Sequence, residues 1–257
     1  MTTNISLRPK PEDEELQVKR RELATLEKNL IERELDLASL RAELTAFEKL
    51  YLKVVGVKYA ELDEIEAQIA ELRSRLEPNN DEAAQQARAA RSRAEETRAT
   101  TELAISNPVR FSPSQSLKSL YRQVAKAIHP DLATDDADRS NRQRLMAEAN
   151  KAYAEGDETR LRQILEQYES SPDLVVGEGT AAELVRVIRN IAQIKRRLAE
   201  IEKEIGKLME SEIANLEARA EEESKQGRDL LSQMAQAVSQ RIEKAQSTLT
   251  RLSKGQG

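Results

Sequence analysis

The chain contains one histidine, His129, followed at once by Pro130 and Asp131. An imidazole beside a carboxylate is a pair from which general acid–base catalysis or a metal site can be built. Both chemistries need more than the pair. A general base needs an orienting partner and a pocket, and the sequence offers no second histidine, no cysteine and no glycine-rich phosphate loop. One histidine without cysteine is likewise a poor start for a metal site. The expectation is therefore no catalytic residue, no metal and no cofactor. The plain reading of His129 is a side chain that caps or packs under a turn.

The element that delivers this tripeptide is a short amphipathic helix. At 100° per residue, Leu117, Leu120, Tyr121, Val124 and Ile128 share one narrow stripe. Lys118, Arg122 and Lys126 recur every fourth residue on the other side, and no acidic residue lies between Phe111 and Pro130. Pro130 disfavours the α conformation at His129 and should end the helix there. A loop rich in Asp follows, from Leu132 to Ser140. The next helix carries Leu145, Met146, Ala149, Ala152 and Tyr153. Gly156-Asp157 ends it, and Asp157 or Thr159 can cap a third helix with Leu161, Ile164, Leu165 and Tyr168. Antiparallel helices joined by a loop can bury these stripes against each other. The unbalanced basic face is expected to steer an acidic protein surface towards the turn.

Residues 117–131 resemble the second helix and the His-Pro-Asp loop of a J domain, the hallmark of the DnaJ co-chaperones. The match includes the pair Tyr121-Arg122 and the basic outer face. Met146, Ala149 and Ala152-Tyr153 resemble the family's third helix. The likeness covers residues 111–168, about a fifth of the 257-residue chain. It implies docking on a DnaK-type chaperone ATPase through His129, Pro130 and Asp131, with Lys118, Arg122 and Lys126 as the basic face. Leu117, Leu120, Tyr121, Val124, Ile128, Met146, Ala149 and Tyr153 would form the domain core. Asp131 would supply a buried anion, Pro130 a rigid turn and His129 a packing and hydrogen-bonding group. The chain departs from the family in two places. The usual first helix is not recognisable, so either the helix before residue 105 substitutes for it or the domain is truncated. Leu132 stands where a basic residue often follows the motif.

The rest of the chain reads as long helices. Charged residues make up 34% and aromatics 3%, with no Trp, which argues against one thick core. Leu16, Leu23, Leu30, Leu37, Leu44 and Tyr51 recur every seven residues. Leu26, Leu40, Phe47 and Val54 fill the companion positions, interrupted by Arg33, which is expected to lower stability and select register. The phase then slips by four to Val55, Leu62, Ile69 and Leu76, with Ile65 and Leu72 beside them; Gly56 lies at the slip, as a stutter or as a helix-to-helix turn. Residues 82–104 have little to bury and read as a connector. Its arginines Arg88, Arg91, Arg93 and Arg98 are interleaved with acids and read as a solvated face. Two further rows follow: Leu184, Val187, Ile191, Ile194, Leu198, Ile201, Ile205 and Leu208, then Leu231, Ala235, Val238, Ile242, Ala245, Leu249 and Leu252.

These patterns predict an all-α chain, a small J-like hairpin between two coiled-coil regions. The expected segments are a flexible tail 1–13, a coiled coil 14–77, a connector 78–106, the J-like domain 107–169, a linker 170–179 and a second coiled coil 180–254. The seams are expected to pair within the chain as an antiparallel bundle or between chains as a homo-oligomer. Net charge is −5 and no nucleic-acid partner is expected. No apolar run suggests an integral membrane segment, and a cytoplasmic protein is expected. The predicted activity is that of a non-enzymatic co-chaperone whose arms bind an unidentified protein client or assemble the protein. The alternative is a coiled-coil scaffold with an uncoupled J-like domain.

Overall fold

A computed structural model describes residues 11–105, 111–133, 136–169 and 180–254. Among these residues the fold is all-helical. Residues 1–10 of the expected tail, the break at Asn107-Pro108 and the expected linker 170–179 lie outside the described residues. Residues 11–13 are already helical, with Pro11 at the first position of its helix, where a missing N–H costs nothing.

The fold divides into two compact units, one drawn from residues 1–42 and 111–209, the other from 43–110 and 210–257. The division falls inside the long first helix, α1 (Pro11–Tyr51).

In the first unit α1 carries two apolar stripes. One is the leucine heptad, which packs on α7 (Thr180–Met209). Leu16 meets Val187 and Ile191, while Leu30 and Leu37 meet Ile194 and Ile201. The flanking ion pairs fix the direction. Lys195–Glu22 at 2.7 Å, Arg197–Glu34 at 2.8 Å, Arg33–Glu202 at 3.1 Å and Arg41–Glu204 at 2.6 Å link the helices, as does Arg20–Glu183. The pairs run from Arg20–Glu183 at one end to Arg41–Glu204 at the other, so the helices run parallel. The pairing is thus within the chain, and it is parallel rather than antiparallel. Arg33 reaches out of the seam to Glu202, which satisfies its charge and ties the register to one partner residue. Lys195 and Lys19 together hold the Glu22 carboxyl down at about 2.

The second stripe, Ile31, Leu35 and Ala38, packs on a three-helix module of α4 (Gln115–Ile128), α5 (Asp136–Glu155) and α6 (Glu158–Glu169). Ser114 caps α4 by accepting a hydrogen bond from the Leu117 amide, and Asp157 caps α6 through the Arg160 amide. Gly156 ends α5 with φ +72°, a left-handed conformation that suits glycine, and the Asp157 amide closes back on the Ala152 carbonyl at 2.8 Å. Tyr121 on α4 bonds Asn150 on α5, while Arg142 on α5 bonds the Ala127 carbonyl on α4, so these two helices are antiparallel.

In the second unit the helical path continues from α1 through a π turn at Leu52–Gly56 into α2 (Val57–Leu76). Gly56 has φ −58° and ψ −41°, ordinary helical values, so it is neither a bend nor a turn. The wide turn absorbs the four-residue phase slip and leaves the helix unbroken. α3 (Asp81–Ile105) is no loose connector. It packs antiparallel on α2, with Arg91 on Glu64 and Glu71, and Arg93 on Asp63 and Glu66. Ala87, Ala94 and Thr101, seven residues apart, are its buried stripe. Small side chains let the backbones approach, and a Cβ on Gly56 would lie 3.6 Å from Thr101 Oγ1. α8 (Glu212–Lys225) turns through Gly227, φ +75°, towards α9 (Leu230–Lys254), whose Val238 and Ile242 cover Leu62, Ile65 and Ile69 of α2.

Candidate docking site

The eight residues assigned to the small-domain core, Leu117, Leu120, Tyr121, Val124, Ile128, Met146, Ala149 and Tyr153, are all buried in one cluster with Leu145, Ala152, Leu161 and Ile164. Tyr153 sits at its centre. The Tyr121 ring lies 4.7 Å from it, the Phe111 ring meets it edge-on at 5.5 Å, and its hydroxyl shares a 2.8 Å hydrogen bond with Ser39 of α1. Among the described residues the outside support for this core therefore comes from α1.

α4 stops at His129, which adopts φ −61° and ψ 128°, the extended backbone that a following proline demands. Pro130–Leu132 form one 3₁₀ turn closed by the Leu132 amide on the His129 carbonyl at 3.0 Å. The Asp131 amide donates to His129 Nδ1 at 3.1 Å. Because Nδ1 accepts that bond, the ring proton of neutral His129 belongs on Nε2. Nε2 in turn faces Glu34 Oε1 at 3.2 Å, and the same oxygen accepts from Arg197 Nε at 2.8 Å. A chain His129–Glu34–Arg197 thus joins the turn to α1 and α7.

This chain is dry. His129 is 1% exposed and Glu34 4%. Burial pushes the Glu34 carboxyl up, but the hydrogen bonds from His129 and Arg197 and the Arg197 charge outweigh it and hold the group below the usual carboxylate range. Arg197 loses some solvation yet is held above its ordinary value by Glu34 and Glu204. Asp131 goes the other way. Burial raises its pKa against the opposing charge of Arg197. Its Oδ2 is buried and accepts no hydrogen bond among the described residues.

The basic face is divided. Arg122 Nε donates to both oxygens of Glu32 on α1, at 2.9 and 3.0 Å. The charge of Lys126 acts on Glu27, also of α1, whose carboxyl is raised by burial. Lys118 is half-buried on the same helix. Leu132 points into the α1–α7 seam, packed against the cluster of Leu30, Leu37, Ile194 and Ile201. The apolar residue at this position therefore has a partner that a basic one would not fit.

One residue of the site escaped the sequence reading. Arg142, 5% exposed, donates to the carbonyls of Ala127 at 3.2 Å and His129 at 3.4 Å, and to Asp138 at 2.8 Å. Its guanidinium lies 5.0 Å from the Tyr168 ring centre. It satisfies the Ala127 carbonyl at the end of α4 and adds a second donor to that of His129, and so helps fix where the turn begins. Its signal was present: an arginine three and four residues before Leu145 and Met146, on the apolar stripe of its own helix.

No group of His, Cys, Asp and Glu among the described residues is arranged to hold a metal ion. No described helix is long and apolar enough to cross a membrane. No protein-family model, curated protein or solved structure matches this chain.

Proposed function

We propose that the chain is a J-domain-type co-chaperone: α4, the His129-Pro130-Asp131 turn and α5 form a J-like hairpin that docks on a DnaK-type chaperone and stimulates its ATP hydrolysis. The protein itself performs no chemistry in this reading, needs no cofactor and works in the cytoplasm. Its helical arms hold a protein client or a further copy of the chain. The observation that carries the reading is Asp131. Its Oδ2 is buried without a hydrogen bond among the described residues, which leaves it an acceptor for a donor that a partner could supply. It sits in the 3₁₀ turn at the end of a helix whose outer face is basic. Steady-state ATP turnover by a DnaK-type chaperone from the same organism tests this. The wild-type chain should raise turnover and Asp131→Asn should not. No stimulation by any such chaperone, including by variants with an accessible turn, overturns the reading.

A second reading, a coiled-coil scaffold with an uncoupled module, is favoured by the burial of His129. On that view Asp131→Asn leaves cellular function intact, while breaking the seam at Leu30 and Leu37 abolishes it.

A further inference from the structure

We infer that α1 and α7 form a built-in latch over the docking turn, so that the described state is the closed, autoinhibited one; this rests on the docking role proposed for the turn. Three contacts converge on it. The Glu34 carboxylate caps His129 Nε2 and is itself gripped by Arg197 of α7. Leu132 is seated among Leu30, Leu37, Ile194 and Ile201, so one side chain of the turn plugs the seam of the two-helix pair. Arg122, in the middle of the basic face, is held by Glu32. Every one of these groups would have to face outward for an acidic partner to reach the turn.

The contacts are not equal. The Arg122–Glu32 pair is partly exposed, and such pairs contribute little. The His129–Glu34 contact is dry, with Arg197 gripping Glu34 from a partly exposed position, and the Leu132 contact is apolar, so these two hold the latch. Both depend on α7, because Arg197, Ile194 and Ile201 all lie on that helix. α1 alone also packs Ile31, Leu35 and Ala38 on the module core. Loss of α7 from the seam would therefore strip the turn of Arg197, Ile194 and Ile201 and leave only the α1 half of the latch, with the module core still covered. α1 acts as the fixed plate and α7 as the bolt. The acidic residues of α1 occupy the basic face in place of the partner's own acids, so partner and latch compete for one surface. A partner that binds only the open form sees its affinity reduced by the open fraction.

The chain lacks cysteine, which allows a direct readout of opening. A single Ala133→Cys reporter beside the turn is labelled with a thiol reagent in the full-length chain, alone and combined with Arg197→Gln or Leu132→Lys. Removing a hydrogen bond to a charged group from the closed state should raise the labelling rate by about tenfold. Circular dichroism checks that helicity is kept. Arg197→Gln is the milder change and serves if Leu132→Lys fails to fold. The same variants without the reporter are assayed for stimulation of a DnaK-type ATPase, and the concentration giving half-maximal stimulation should fall by about tenfold. Unchanged labelling in a folded variant overturns the latch, whatever the ATPase result. Raised labelling with stimulation no better than wild type overturns the inhibitory role. Raised labelling with no stimulation by any variant overturns the docking role, and the latch as a regulator falls with it.

Discussion

His129 Nε2 lies 3.2 Å from Glu34 Oε1, although ninety-five residues separate them in sequence. This one contact turns the most conspicuous side chain of the sequence from a surface group into a buried one. It makes the turn at Pro130 answerable to α1 and, through Arg197, to α7.

The first prediction concerns pH. The Glu34 pKa is lowered on folding, so the unfolded chain binds more protons in the window below the ordinary carboxylate value. Its contribution to stability is complete above about pH 4.5 and is lost as pH falls through the depressed value. Glu34→Gln should flatten that part of the pH profile. Glu34→Ala, which leaves the His129 ring proton unpaired, should cost about 2–3 kcal/mol at neutral pH. Thermal melts of the full chain between pH 3 and 7, a window on the order of the carboxylate range, check both. A wild-type profile no steeper than that of Glu34→Gln would show the contact to be absent.

Asp131 should behave oppositely. Its pKa is raised on folding, so ionisation penalises the folded turn; the penalty is absent at low pH and complete above the raised value. Asp131→Asn should therefore stabilise the chain at neutral pH, by roughly 0.5 kcal/mol after allowing for screening at a half-exposed group. The same substitution should abolish chaperone stimulation. Chemical denaturation set beside the ATPase assay reads both, and a loss of stability would contradict the assignment of Oδ2 as an unsatisfied acceptor.

The helix nature of the chain and the leucine heptad were legible, because both are local patterns of period 3.6 and 3.5. The second stripe on α1, Ile31, Leu35 and Ala38, was also written in the sequence. It was eclipsed by the stronger heptad beside it, since a helix with two partners carries a wider apolar face than one seam needs. The seven-residue row Ala87, Ala94 and Thr101 was passed over because small residues carry little hydrophobic signal, although they let helices approach closely. The parallel sense of α1 and α7 was not legible, because a leucine seam serves either direction and only the charged flanks decide. Least visible was the burial of His129. It depends on Glu34 and Arg197, and no local rule links residues so distant along the chain.

Gly56 supplies a test of the continuous helix through the phase slip. Its helical φ admits alanine, and Gly→Ala in a helix interior gains up to about 1 kcal/mol. A Cβ there would meet Leu52 Cδ2 at 3.1 Å, the far end of a flexible side chain that can move. Gly56→Ala should thus leave stability unchanged or slightly raised. Gly56→Val adds bulk where α3 approaches at Thr101 and should cost about 1–3 kcal/mol. A large loss with alanine would mean that the position is a turn after all.

Arg142 carries the strongest prediction for the small module. Removing it leaves the Ala127 carbonyl without its donor and takes one donor each from the His129 carbonyl and Asp138, in a region nearly closed to water. Arg142→Ala should cost about 3 kcal/mol. Arg142→Lys keeps the charge but cannot fork between two carbonyls and Asp138 while stacking on Tyr168, so it should recover only part of that loss. The effect should be local. Amide exchange should accelerate in α4 and the 3₁₀ turn, because their closing carbonyls lose an anchor, while α2, α3 and α9 keep their protection. Hydrogen-exchange mass spectrometry of the full chain distinguishes this from general destabilisation. Uniformly faster exchange in both units would show that Arg142 supports the fold at large rather than the end of α4.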